Sequence, residues 1–141
     1  MQESLLDFLV YRNIFDVTEL ALDLVNINIA DKDKRLRIKQ SFLIITRRQK
    51  NRIITGLAYV DPDKRLPFII GCFKENSDLI KKRVAIVGDI SVDVRKNAYE
   101  EIDKFTEEKI AYVSEVWKEK ALDLLSQKQI LQEISNWRTW K

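Results

Sequence analysis

Apolar positions recur at spacings of three and four over residues 4–11 and again over residues 17–27, with Leu5, Phe8 and Leu9 in the first segment and Val17, Leu20, Ala21 and Leu24 in the second. Acids fall toward the first turn of each, where they complement the partial positive charge of a helix start. Two short N-terminal helices are therefore predicted. At Arg35 the period changes to two in Arg-Leu-Arg-Ile-Lys and runs on through Phe42, Leu43, Ile44, Ile45 and Thr46, which predicts a strand. Residues 47–51 form a charged break, and the β-branched and aromatic run at residues 52–60 follows as a second strand. The pair reads as a β-hairpin. Asp61-Pro62-Asp63-Lys64 supplies turn chemistry, after which residues 67–73 and 83–92 read as two further strands.

Beyond Asp93 the helical spacing returns through Ala98, Ile102, Phe105, Ile110, Val113, Trp117, Ala121 and Leu124, with a five-residue step between Phe105 and Ile110 that predicts a phase shift or kink near Thr106. Ser126-Gln127-Lys128-Gln129 has the form of a capping box, so either one long helix or a helix pair closes the chain. The expected fold is α+β: N-terminal helices, a four-stranded and mainly antiparallel sheet with a basic hairpin, and a C-terminal helix or helix pair on one face. With three glycines and two prolines in 141 residues there is no linker, and residues 1–141 read as a single domain. The isolated Gly56, Gly71 and Gly88 are expected at bulges or close strand packing.

Charge gives this scaffold its most informative feature. Between Lys32 and Arg52 stand nine basic side chains and one acid, Asp33, a local +8 in a chain whose total is +3. The first 31 residues sum to −5, and residues 53–141 to zero. Such a block suits a polyanion or an acidic partner surface. On a strand, Arg35, Arg37 and Lys39 share one face, while Arg47, Arg48, Lys50 and Arg52 gather at the hairpin end, which together gives a phosphate-tracking surface. The bland alternative is an edge strand whose cations block edge-to-edge pairing and are neutralised by the acidic first helices.

The missing residues exclude much chemistry. With no histidine and one cysteine, Cys72, the chain holds no histidine acid/base, no Ser-His or Cys-His dyad and no internal disulfide. No enzymatic role, metal or cofactor is expected. Asp89 and Asp93 are the nearest approach to a metal pair, and the better account of them is a strand end and a helix cap. The apolar stretch around residues 14–30 is broken by three acids, and the N-terminus lacks the marks of a secretory signal, so no membrane insertion and a cytoplasmic setting are expected.

Gln2, Leu5, Phe8 and Leu9 fit a Gln-x-x-aliphatic-x-x-aromatic-apolar pattern, and here the sequence resembles the PCNA-interacting peptide of replication and repair proteins. The resemblance covers eight residues and implies a sliding clamp as partner, with Gln2 in a polar pocket and Leu5, Phe8 and Leu9 as the apolar plug, Leu9 replacing the commoner second aromatic. The alternative is an ordinary first helix with these residues in its core. At the other end, Trp137 and Trp140 share a helical face and suit a partner or the seam of a homodimer.

The leading expectation is a small non-enzymatic nucleic-acid-binding protein, a homodimer, in replication or repair. The alternative is a structural or adaptor protein for acidic protein surfaces, such as an assembly subunit or an inhibitor of a larger complex. A third, a degenerate nuclease-like protein, rests on a similarity in element order to restriction endonucleases. Asp61 and Lys74 would serve that chemistry, but Cys72 stands where its second metal-binding carboxylate is required.

Overall fold

The computed structural model describes residues 6–121 and 127–139. A π-helical turn at Asp7–Tyr11 runs without a break into α1 (Arg12–Asn26). It is followed by α2 (Lys32–Leu57), a 3-10 turn at Pro62–Lys64, α3 (Arg65–Ala85), α4 (Val92–Val116), a π-helical extension at Trp117–Ala121, and α5 (Gln127–Thr139). Among the described residues there is no strand. The expected four-stranded sheet, its hairpin and the α+β class are therefore overturned: the fold is all helical.

Helices α1 to α4 form an up-and-down four-helix bundle in which each packs on its neighbour in sequence and α4 closes against α1. Polarity follows from the core. At one end the start of the first helix (Leu6, Leu9, Val10, Ile14) meets the end of α2 (Ile53, Ile54, Leu57), the start of α3 (Ile69, Cys72, Phe73), the end of α4 (Val113), Trp117, and Ile130 and Ile134 of α5. At the other end Val17, Ala21 and Val25 meet Ile38 and Phe42, Ile80 and Val84, and Ala98 and Ile102. The two apolar cores are separated by a polar belt. Thr18 of α1, Thr46 of α2, Asn76 and Ser77 of α3 and Thr106 of α4 are all buried at the bundle's middle.

That belt explains why the sequence pattern misleads. The buried positions of α2 are Ile38, Phe42, Thr46, Gln49, Ile53, Ile54 and Leu57, a helical stripe at spacings of three and four, but two of its members are polar. Leu36 and Ile44 are meanwhile about half exposed. The helical period is hidden at the core and a false alternation is created at the surface. In α3, polar Asn76 and Ser77 occupy core positions between Phe73 and Ile80 in the same way. At the five-residue step between Phe105 and Ile110, α4 is one unbroken helix and Thr106 takes a buried position.

Local signals set the helix ends. Asp31 caps α2, its side chain accepting from the Asp33 amide at 2.9 Å, and Ser91 caps α4, accepting from the Val94 amide at 3.2 Å. Pro67 falls in the first turn of α3, where its missing N–H costs little. Gly56 lies in α2 rather than at a bulge, and a Cβ there would drive into the Phe68 ring of α3. A glycine is what lets these two helices converge toward the loop that joins them. Gly71 and Gly88 have open space where a Cβ would stand.

Candidate nucleic-acid interface

All nine cations between Lys32 and Arg52 belong to α2. A helix advances about 100° per residue, so Arg35 and Lys39 point to one side of α2 while Arg37, about 200° from either neighbour, points to the other. The single strand face holding Arg35, Arg37 and Lys39 does not exist. The cations instead divide between two flanks of one helix.

Contacts identify each flank. On one, the Lys34 ammonium donates to an Asp89 carboxylate oxygen at 2.5 Å, in the loop after α3. Ser41 accepts from Arg83 Nε at 3.1 Å, and Arg52 pairs with Glu75, whose carboxylate also accepts from Gln49 at 3.2 Å. This flank borders α3. On the other, Lys50 stands 4.0 Å from the buried Asp7 carboxylate and 4.9 Å from the centre of the Tyr11 ring. Burial pushes the Lys50 ammonium below its ordinary pKa, the nearby Asp7 opposing, and burial likewise raises the Tyr11 phenol. That side borders the first helix. Lys32, Arg35, Arg37, Lys39, Arg47 and Arg48 form no ion pair among the described residues.

The two flanks differ in their surroundings. Helix α3 contributes five cations and two acids, a net +3, beside the +8 of α2. The first helix (residues 7–26) and α4 each sum to −3. The stretch after residue 52, neutral in sequence, thus separates into a basic α3 and an acidic α4, and the bundle becomes a basic α2–α3 side facing away from an acidic α1–α4 side. Two lysines crosslink the helices: Lys109 of α4 binds Asp16 of α1 at 3.0 Å, while Lys81 of α3 reaches Asp103 of α4 at 2.7 Å and Asp78 of its own helix at 3.6 Å. The hydrogen bond to Asp103 leads the causes that raise the Lys81 pKa.

Along the α2–α3 flank, Arg37, Ile44 and Arg48 are spaced seven and four apart and stand on one exposed stripe. Exposed Lys82 and half-buried Arg83 lie across from it on α3. A cleft of about 230 Å³ opens at one end, lined by Lys34, Arg37, Ile38, Arg83, Ile86, Val87, Gly88 and Asp89. Sequence reasoning missed Lys82 and Arg83, since the lysine-arginine run at residues 81–83 was visible but nothing local placed it beside α2.

The remaining candidates are scattered. Phe8 is 55% exposed while Leu9 is 2% exposed within the core, so two anchors of the clamp-binding pattern occupy opposite environments; Gln2 and Leu5 lie outside the described residues. Trp140 also lies outside them, as does the side chain of Trp137. Among the described residues no group of three carboxylate or cysteine side chains is placed to hold a metal, and no helix is long and apolar enough to cross a membrane. Compared with family models, characterised proteins and solved structures, the chain shows no significant match. Its function must be read from this geometry.

Proposed function

We propose that the chain is a non-enzymatic nucleic-acid-binding protein of the cytoplasm that contacts the phosphate backbone with the α2–α3 side of its bundle. One observation carries the reading: the fold places α2, net +8, against α3, net +3, while the acidic helices pack together behind them. Arginine dominates the exposed stripe on α2, and its planar fork suits phosphate oxygens. Phosphate contacts fix position without carrying sequence information, so a surface dominated by cations supplies affinity more than specificity. Binding is therefore expected to be weakly dependent on sequence.

The test is fluorescence anisotropy of labelled single-stranded and duplex oligonucleotides at 50 and 200 mM salt. Engagement of about five phosphates lowers affinity roughly 500-fold over that range, at a slope of about 0.9 per phosphate. No binding at the lower salt sinks the proposal and directs attention to acidic protein surfaces.

A further inference from the structure

We infer that the cleft between the N-terminal turns of α2 and the end of α3 is an anion site that takes one phosphate group, with Asp89 as a built-in competitor for its cations. The cleft is lined by three cations, Lys34, Arg37 and Arg83, and one acid, Asp89. Arg37 is exposed and forms no ion pair among the described residues. Arg83 is held by its Nε, which donates to Ser41 Oγ at 3.1 Å, so the guanidinium is anchored through one nitrogen while its two terminal NH2 groups have no partner among the described residues. An arginine fixed in this way loses less freedom on binding an oxyanion than a mobile one does.

The loop completes the site. Gly88 presents no side chain and has open space where a Cβ would project, so an anion can approach the backbone there. The Val87 carbonyl, an acceptor that would repel an anion, already accepts from Arg95 Nη2 at 2.6 Å. That leaves Asp89 as the one carboxylate in the lining, bound to Lys34 at 2.5 Å. Both members of this pair are nearly half exposed, so its contribution to stability is small and it can exchange for another anion. An arriving phosphate takes Lys34 from Asp89, while Arg37 and Arg83 donate to the remaining oxygens.

The source of the phosphate, a backbone phosphodiester, rests on the nucleic-acid reading above; the cleft's affinity for phosphate itself does not. Potassium phosphate is titrated into the 15N-labelled protein at constant ionic strength, with sodium chloride as the matched control, following the amides of the 86–91 loop. Phosphate, and not chloride, should shift the Gly88 amide. Asp89→Asn should tighten phosphate binding about fivefold and Arg37→Gln weaken it about fivefold, the effect of one close charge in a solvent-exposed setting. Both residues are exposed, and an unchanged circular dichroism spectrum confirms that each variant folds. Equal shifts with chloride, or an Asp89→Asn variant that binds no tighter, overturn the site.

The same two variants in the oligonucleotide assay separate the two ideas. Phosphate binding without oligonucleotide binding leaves the site standing for a small phosphorylated ligand and removes the nucleic-acid reading. Oligonucleotide binding indifferent to both substitutions leaves that reading intact and removes the backbone phosphodiester as the ligand of the cleft.

Discussion

Cys72 is 2% exposed in α3, packed with Phe73 and Ile69, and loss of water around it raises the thiol to about 11, the Arg52 charge opposing only in part. A thiol whose folded pKa lies above its ordinary value keeps its proton in the native state after the unfolded chain has lost it. Its contribution to stability is thus complete below about pH 9 and is lost as pH rises to about 11, because the native state then binds more protons than the unfolded one. A shift of this size corresponds to about 2–3 kcal/mol. Urea unfolding across pH 8–11 should show this decline in the native chain and a shallower one in Cys72→Ala. The same burial makes the thiol slow toward alkylating reagents at neutral pH until the protein unfolds. The absence of a disulfide partner was legible in the sequence from the cysteine count alone. The element there was not, yet the strand expected and the helix found both leave the apolar run around Cys72 inside.

At the scale of the helices, the polar belt is the feature most dependent on fold. Thr18 Oγ1 and Thr46 Oγ1 share a hydrogen bond of 2.6 Å, Thr46 donates to Asn76 Oδ1 at 3.2 Å, and Asn76 Nδ2 donates to Thr18 Oγ1 at 3.3 Å. If Thr18 is the donor to Thr46, the three bonds form a closed ring across α1, α2 and α3. One level over, Ser77 and Thr106 share a bond of 2.5 Å between α3 and α4, and Thr106 donates to the Ile102 carbonyl at 2.6 Å. A bundle with apolar cores on both sides of such a ring loses partners if any helix slides by a turn, so the belt fixes register. Thr46→Val keeps the shape but leaves Thr18 and Asn76 short of a partner in a dry interior. It should cost about 1–3 kcal/mol in urea unfolding. A double change, Thr18→Val with Thr46→Val, should cost less than the sum of the two singles, because the shared bond is lost only once. These residues also account for the error in fold class. Helices at both ends of the chain were legible, since Ala98, Ile102, Val113 and Trp117 are apolar at core positions. In the middle, Thr46, Gln49, Asn76 and Ser77 occupy core positions that a reading by hydropathy assigns to the surface, and the Ile-rich runs around them then resemble strands.

For the molecule as a whole, the basic block was visible in the sequence, but its orientation is a property of the bundle. A helix about 10–12 Å across presents only one flank to a rigid duplex. Lys32, Arg35 and Lys39 fall on the flank that borders the first helix, whose net charge is −3 and whose Asp7 stands by Lys50. Arg37 and Arg48 fall on the other, where Arg83 of α3 lines a cleft with Arg37 and Lys82 lines a second one with Arg52. The two flanks carry similar cation density on α2 itself, so what separates them is the charge of the neighbouring helix. Neutralising Arg37, Arg48 and Lys82 together, each to Gln, should therefore lower the slope of log affinity against log salt for duplex DNA by about 2–3, near 0.9 for each contact removed. Neutralising Lys32, Arg35 and Lys39 removes the same number of charges and lowers the net charge equally. If binding responded only to net charge, both triple variants would lose the same slope. A larger loss in the first triple locates the contact on the α2–α3 side, whereas a larger loss in the second would place it on the α1 side and refute the reading of the fold as a basic face backed by an acidic one.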